Sequence, residues 1–404
     1  MKSNKKLAAF AAAAGAALLS ALAAAQGPGG FADRMQAALA EPFVGLVAGE
    51  EPVEGLYRIE PTGVSSAPVR EAAEQLLATL TDAQGAQVSF PVEDSEWRNW
   101  ANIHRFPRQG VSLDEMTEAQ RDAVYALLRA GLSAKGYETS RDIMRLNHHL
   151  AELVDNFDEY GEYLYFVTIM GTPSATEPWG WQLDGHHLVV NYFVLGDQIV
   201  MTPTFMGSEP IAAESGKYAG TEILEDEQTR AVAFMQALDA EQRTDAVLDA
   251  RKRRGENLAE MMRDNMTIPH EGLPATRLNA EQRRRLLELV ELYVGNMRDG
   301  HAAVKMEEVM AHLDQTYFAW KGGFEPDGVF YYRIQSPVIY IEFDHQGPTA
   351  LAGPRDVATR NHIHSVVRTP NGNDYGKDLL RQHYEAYAHD PAHGHAPAVA
   401  WSER

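Results

Sequence analysis

Cysteine is absent from all 404 residues. That excludes a disulfide scaffold, a thiolate metal site, a cysteine nucleophile and a lipoprotein anchor. Positive charge is scarce as well: 36 lysines and arginines stand against 57 aspartates and glutamates, a formal net charge of −21. Such a chain repels nucleic-acid phosphate and anionic lipid unless basic residues are segregated. The nearest thing to a basic patch, Arg251-Lys252-Arg253-Arg254, is flanked by acids, so no nucleic-acid partner is expected. There is no Gly-x-Ser-x-Gly elbow, no His-Glu-x-x-His helix and no Gly-rich phosphate loop. After the N-terminal segment no stretch is apolar enough to span a bilayer.

What the chain does have is a 45% hydrophobic content, enough for a real core, and 15 histidines. Imidazole is therefore the side chain to follow. Lys2, Lys5 and Lys6 precede an apolar run from Leu7 to Leu22, and then Ala23-Ala24-Ala25-Gln26. This reads as a secretory signal peptide over 1–25, with an uncleaved anchor as the alternative. A periplasmic or secreted protein is expected, with no stable membrane anchor after cleavage. Nucleotide cofactors are scarce there, which favours cofactor-light chemistry.

Apolar spacing predicts helices over 31–40, 69–80, 118–131, 141–155, 226–248, 280–297 and 302–318. Three share an opener: Thr117-Glu-Ala-Gln120, Asp239-Ala-Glu-Gln242 and Asn279-Ala-Glu-Gln282, each a capping-box pattern. Their irregular spacing reads as shared helix grammar, not as a solenoid. Strands are predicted over 87–92, 163–169, 188–195 and 198–202 around a Gly196-Asp197 turn, then 329–334, 338–343 and 362–368. The expected fold class is α+β: a mainly antiparallel sheet built from two sequence halves around a helical insertion. Residues 26–404 are expected to form one interleaved domain, with a mobile tail from about 389.

Four clusters carry candidate chemistry. Trp179-Gly180-Trp181 leads into His186-His187 ahead of a strand, where alternation lets only one of the two histidines face the functional side unless a turn intervenes. His362 and His364 share a strand face, sound metal-chelating geometry. Glu342 sits in an apolar strand, as a metal ligand, an acid or base, or one half of an ion pair with Arg333. Arg368 to Gly376 is a turn-rich stretch in which Asp374 reads as a helix cap. Trp100 and Arg105 lie in an irregular aromatic segment that lines a pocket or covers the core edge.

Taken together, Trp179-Gly180-Trp181 with Gly185-His186-His187 and Asn191, Thr202-Pro203-x-Phe205-x-Gly207-x-x-Pro210, Ile341-Glu342-Phe343, His362-x-His364-Ser365 with Arg368, Asp374-Tyr375-Gly376, and Leu132-Ser133-x-x-Gly136-Tyr137 resemble the secreted bacterial family catalogued as domain of unknown function 3500. The resemblance spans about Val69 to His383 and supports export and a single interleaved domain. It implies no reaction.

The residues then suggest a metal-dependent enzyme, hydrolytic by preference. His186 or His187, His362 and His364 would hold a divalent metal, with zinc favoured and copper or iron compatible. Glu342 is the candidate fourth ligand or general base, and Arg368 or Arg105 would steady an oxyanion. Trp100, Trp179 and Trp181 would wall the pocket of a small-molecule or polymer substrate. The alternative is a non-catalytic exported binding protein with an aromatic-lined pocket.

Overall fold

The computed structural model describes residues 30–387. The expected signal peptide and tail lie outside the described residues. The chain divides into two compact units at Pro42. Helix α1 (Phe31–Ala40) belongs to the first. The second, from Phe43, holds everything discussed below; in it a short strand β1 (Val47–Ala48) pairs in parallel with β10 (Thr267–Ile268).

Its elements fall into two series of the same kind. The first runs α2 (Ala67–Thr79), α3 (Asp82–Val88), β2 (Ser89–Phe90), β3 (Val111–Ser112), α4 (Glu118–Gly131), α5 (Ala134–Val154), β4 (Tyr165–Met170), β5 (Trp179–Gly185), β6 (Leu188–Leu195), β7 (Gln198–Val200) and β8 (Thr204–Ser208). The second runs α6 (Glu225–Ala237), α7 (Ala240–Ala246), β9 (Val247–Asp249), β11 (Leu273–Pro274), α8 (Ala280–Val294), α9 (Asp299–Ala311), β12 (Tyr317–Gly322), β13 (Phe330–Gln335), β14 (Tyr340–His345) and β15 (Ile363–Arg368), and a last helix α10 (Lys377–Tyr387) follows.

The main sheet has 13 strands in the order β11-β12-β13-β14-β15-β8-β6-β5-β4-β2, with β3 on β4, β9 on β12 and β7 on β6. Its pairings are antiparallel except β2 on β4 and β9 on β12. The order reads the same from both edges, with β15 and β8 meeting at the centre. One row of partners crosses it: Val111, Val167, Leu183, Val190, Thr204, Val367, Ile341, Ile334, Phe318, Leu273. Apart from Thr204 this row lies in or against the main core. The Thr204–Val367 pair sits on a pseudo-twofold axis. The helix layer crosses the same axis at an antiparallel bridge between Leu132 and Met297, just before α5 and α9.

All three expected capping boxes form, and a fourth, Thr81 with Gln84, forms as well. They explain the irregular spacing: Thr81 corresponds to Asp239 and Thr117 to Asn279. Gln120 Nε2 donates to Gln84 Oε1 (2.8 Å) and Thr79 O (2.9 Å), and Gln282 Nε2 donates likewise to Gln242 Oε1 (2.8 Å) and Ala237 O (2.9 Å). The fold is thus one α+β unit used twice. The helices between the two strand groups are the second series' own.

Several boundaries differ from expectation. The 226–248 helix is two helices, because the Asp239 cap starts a new one after Leu238. The 141–155 helix begins at Ala134, where Ser133 accepts from Gly136 N. The 302–318 helix ends at Ala311, and β12 begins at Tyr317. The 87–92 strand shrinks to Ser89–Phe90, behind α3. Trp179–Gly185, read as a lead-in, is itself a strand. No helix among the described residues is long and apolar enough to cross a membrane.

Alternation sends the next row to the other face: Asp184, Val189, Phe205, Val366, Glu342, Arg333. This face carries buried polar and charged side chains beside apolar ones. Irregular chain covers it, held by charged side chains. Lys252 pairs with Asp344 (2.8 Å), Glu256 N donates to Asp344 Oδ2 (2.7 Å), and Gln335 Nε2 donates to Ile268 O (2.6 Å). The histidines gather on this face, at the junction of the two series.

Candidate metal centre

The β5–β6 hairpin closes through a two-residue tip, His186-His187, between the paired Gly185 and Leu188. His187 adopts a left-handed φ of 59°, uncommon for a residue other than glycine. The surroundings enforce it. Tyr165 OH donates to His186 O (3.0 Å), His187 N donates to Asn102 O (3.0 Å), and Gly207 N donates to His187 O (2.9 Å). The His187 ring lies between His186 (centroids 4.0 Å apart) and Phe205 (6.4 Å). A turn therefore replaces the strand start at these two histidines, and it turns His187 toward the second series.

His364 lies on β15 opposite Gly207, and His362 stands one residue ahead of that strand. The Nε2 atoms of His187, His362 and His364 form a triangle: 3.0 Å between His362 and His364, 3.2 Å between His187 and His364, and 3.3 Å between His187 and His362. All three residues are at most 9% exposed. Nδ1 of His362 faces Gly347 O (2.8 Å), and Nδ1 of His364 faces Glu260 Oε1 (2.8 Å). Both partners are acceptors, so both Nδ1 atoms carry a proton, and the corresponding neutral tautomer presents a lone pair at Nε2. Burial pushes the His187 and His362 imidazoles well below their ordinary value, so protonation does not relieve the crowding.

Three imidazole nitrogens converging in a buried site, two of them presenting lone pairs, call for a cation. Bonds of about 2.0–2.1 Å in tetrahedral directions separate ligand nitrogens by about 3.3–3.4 Å, and at right angles by about 2.9 Å. The observed triangle falls within that span. Among the described residues these three are the group of His, Asp and Glu able to hold an ion, and no fourth His, Asp or Glu joins them.

The other residues singled out by sequence lie elsewhere. His186 stacks on His187, and its Nδ1 donates to Asn147 Oδ1 (2.8 Å), so it supports the tip instead of joining the triangle. Glu342 is fully buried and accepts from Leu258 N (2.8 Å), Ala259 N (2.9 Å) and Tyr331 OH (2.7 Å). Burial raises its pKa, while those three donors oppose the rise. Arg368 donates to Ala259 O (3.0 Å) and Met261 O (3.0 Å), and pairs with Asp264 (2.6 Å) and Asp374 (3.2 Å). These two residues clamp the segment that carries Glu260, the acceptor behind His364. Trp100 donates to Tyr375 OH (2.9 Å) and lies under the Arg368 guanidinium. Trp179 and Trp181 point to the helix side of the sheet and are wholly buried in the main core. Arg105 is exposed and pairs with Glu159.

Four supporting residues escaped the sequence reading. Glu260 lies 104 residues from His364, on a segment with no local signal. Asn147 and Asn102 act through the hairpin tip. Glu209, before a cis proline, accepts from Thr349 N, Ala350 N and Leu351 N (2.9–3.1 Å), bracing the loop whose Gly347 O meets His362. The core position of the tryptophans was legible: Trp179, Trp181 and Leu183 alternate with Gly180, Gln182 and Asp184, a period-two pattern.

A family model described as Protein of unknown function (DUF3500) matches residues 62–377. The chain belongs to this family. The match begins before α2, ends at the first residue of α10, and includes all three converging histidines of this DUF3500 chain. No match was found among curated proteins or among solved structures.

Proposed function

We propose that this DUF3500 protein is an exported metal-dependent enzyme, hydrolytic by preference, whose metal is held by His187, His362 and His364. One observation carries the reading: three Nε2 atoms converge, two of them with Nδ1 engaged by an acceptor, and no fourth His, Asp or Glu joins them among the described residues. Structural zinc sites are closed by four protein ligands, whereas catalytic ones keep a position open. A divalent ion on three imidazoles supplies a Lewis acid and lowers the pKa of a water to about 7. Zinc suits neutral imidazole donors, and copper or iron is compatible with them.

The chain's own contribution is orientation and exclusion of water. Gly347 O and Glu260 hold the protons of His362 and His364 on Nδ1, which aims Nε2 inward. Burial keeps His187 and His362 neutral and therefore able to ligate. His104, 5.4 Å from the His186 ring and near Glu159, is the partly exposed imidazole beside the tip. Burial lowers its pKa, which favours its neutral form. The aromatic-pocket alternative loses support, since Trp179 and Trp181 are core residues. The N-terminal lysines and apolar run support export.

The test is elemental analysis of tag-free protein, with His362→Ala and His364→Ala alongside, followed by assay on ester, amide and phosphoester substrates. Near-stoichiometric zinc, copper or iron, lost in both variants, is the expected result. No metal after purification, and no rise in melting temperature on adding zinc or copper, would sink the reading.

A further inference from the structure

The pseudo-twofold axis assigns the histidine centre a counterpart. The hairpin tip His186-His187 corresponds to the β13–β14 tip, Pro337-Val338, which the Ser336 N to Ile339 O bond (2.9 Å) closes. Helix α5 meets the first tip through Asn147, and helix α9 meets the second through Lys305 Nζ, which donates to Val338 O (2.8 Å). His364 and His362 stand three and five residues before Val367; Met201 and Ile199 stand three and five before Thr204.

Beside this second tip, on the helix side of the sheet, the structure opens a cavity of about 500 Å³. Ile199, Met201, Lys305 and Ile339 line it, together with the on-axis pair Thr204 and Val367. The size falls within the range of small-molecule sites. The histidine centre is made of other residues, so this is a separate place in the fold.

We propose that this cavity is a second binding site, one that takes a small organic amine with an apolar body. Ile199, Met201 and Ile339 make the wall apolar there. Further along, with Glu227 paired to Lys135 (2.8 Å) and Glu308 to Lys305, the exposed lining acids Glu60 and Glu307 stand against the exposed cation Arg58. Lys305 is already engaged by Glu308 (2.6 Å) and by Val338 O. The imbalance favours a cationic head over a carboxylate.

The test uses three matched probes, 2-phenylethylamine, 2-phenylethanol and phenylacetate, titrated into the full chain by calorimetry and ligand-observed NMR. The amine is expected to bind at least tenfold more tightly than the carboxylate. Val304→Trp, which fills the cavity from a half-buried position on α9, should weaken the amine at least tenfold. Glu307→Lys, on the exposed side of the same helix, should reduce the preference for the amine even if Val304→Trp misfolds. Chelation and His362→Ala should leave amine binding unchanged, which separates this site from the metal centre. Absence of binding by all three probes, a preference for phenylacetate, full binding by Val304→Trp, or loss of binding on chelation would each overturn the proposal.

Discussion

Replacing Glu260 by leucine should weaken metal binding about a hundredfold while leaving all three ligands in place. The carboxylate accepts from His364 Nδ1 at 2.8 Å, and His364 is only 9% exposed. Without that acceptor the N–H is left with the side-chain amide of Asn102, 3.4 Å away, and the ring is freer to turn its Nε2 away from the triangle. Loss of an acceptor behind a ligating histidine costs about 10–100-fold in affinity, or about 1.4–2.7 kcal/mol. Glu260→Gln keeps a carbonyl oxygen for Nδ1 but loses the charge, so it belongs near the tenfold end. The assay is competition for zinc against a chromophoric chelator, with the full chain. The zinc-induced rise in melting temperature should shrink in the same order. If both variants hold zinc within twofold of the parent, Glu260 does not position His364. If glutamine is as damaging as leucine, the charge and not the geometry matters, and the orientation argument fails.

Arg368→Met should destabilise the protein by about 3–5 kcal/mol in urea unfolding, because Asp264 and Asp374 stay buried beside a lost partner; a cost below about 1 kcal/mol would contradict the clamp. Gly110→Ala and Gly272→Ala should cost similar amounts, about 1–3 kcal/mol each. Both have a positive φ (83° and 92°), and an added Cβ would lie 2.2 Å from Val167 O and 2.3 Å from Phe318 O, corresponding carbonyls in the two series; a neutral result at one alone would break the correspondence. Lys377 is buried, and burial lowers its pKa from 10.5 to about 8. Between those values the unfolded chain binds a proton that the folded chain does not, so stability rises with pH from about 8 to 10.5 and is lower below 8. Lys377→Met should remove that rise and melt higher at pH 7; an unchanged pH profile would refute the assignment.

The parts of the fold that were readable from sequence are those that depend on neighbours in the chain. A capping box needs only positions i and i+3, and all three expected boxes form. His362 and His364 were readable as a pair because strand-like alternation puts every second side chain on one face. The repeated unit was harder to see. Its markers, Gln84 and Gln242 or Gly110 and Gly272, are few and separated by loops of unequal length. The long-range supports were not readable at all. Glu342 looked like a chemical group because a buried carboxylate needs a reason; the reason is the backbone of Leu258 and Ala259, 84 and 83 residues away.

By itself the sequence determined the acidic, cysteine-free composition, most of the helix starts, the edges of several strands and the imidazole-rich chemistry available. Those are properties of single residues and of short-range periodicity. Tertiary structure alone decided which histidines meet. His187 is brought to His362 and His364 by a left-handed turn at the hairpin tip and by the pairing of β8 with β15 across the axis. It also decided that Trp179 and Trp181 fill the core, and that Glu342 and Arg368 hold backbone. A side chain's role depends on what faces it, and in an antiparallel sheet of this width those partners come from distant parts of the chain.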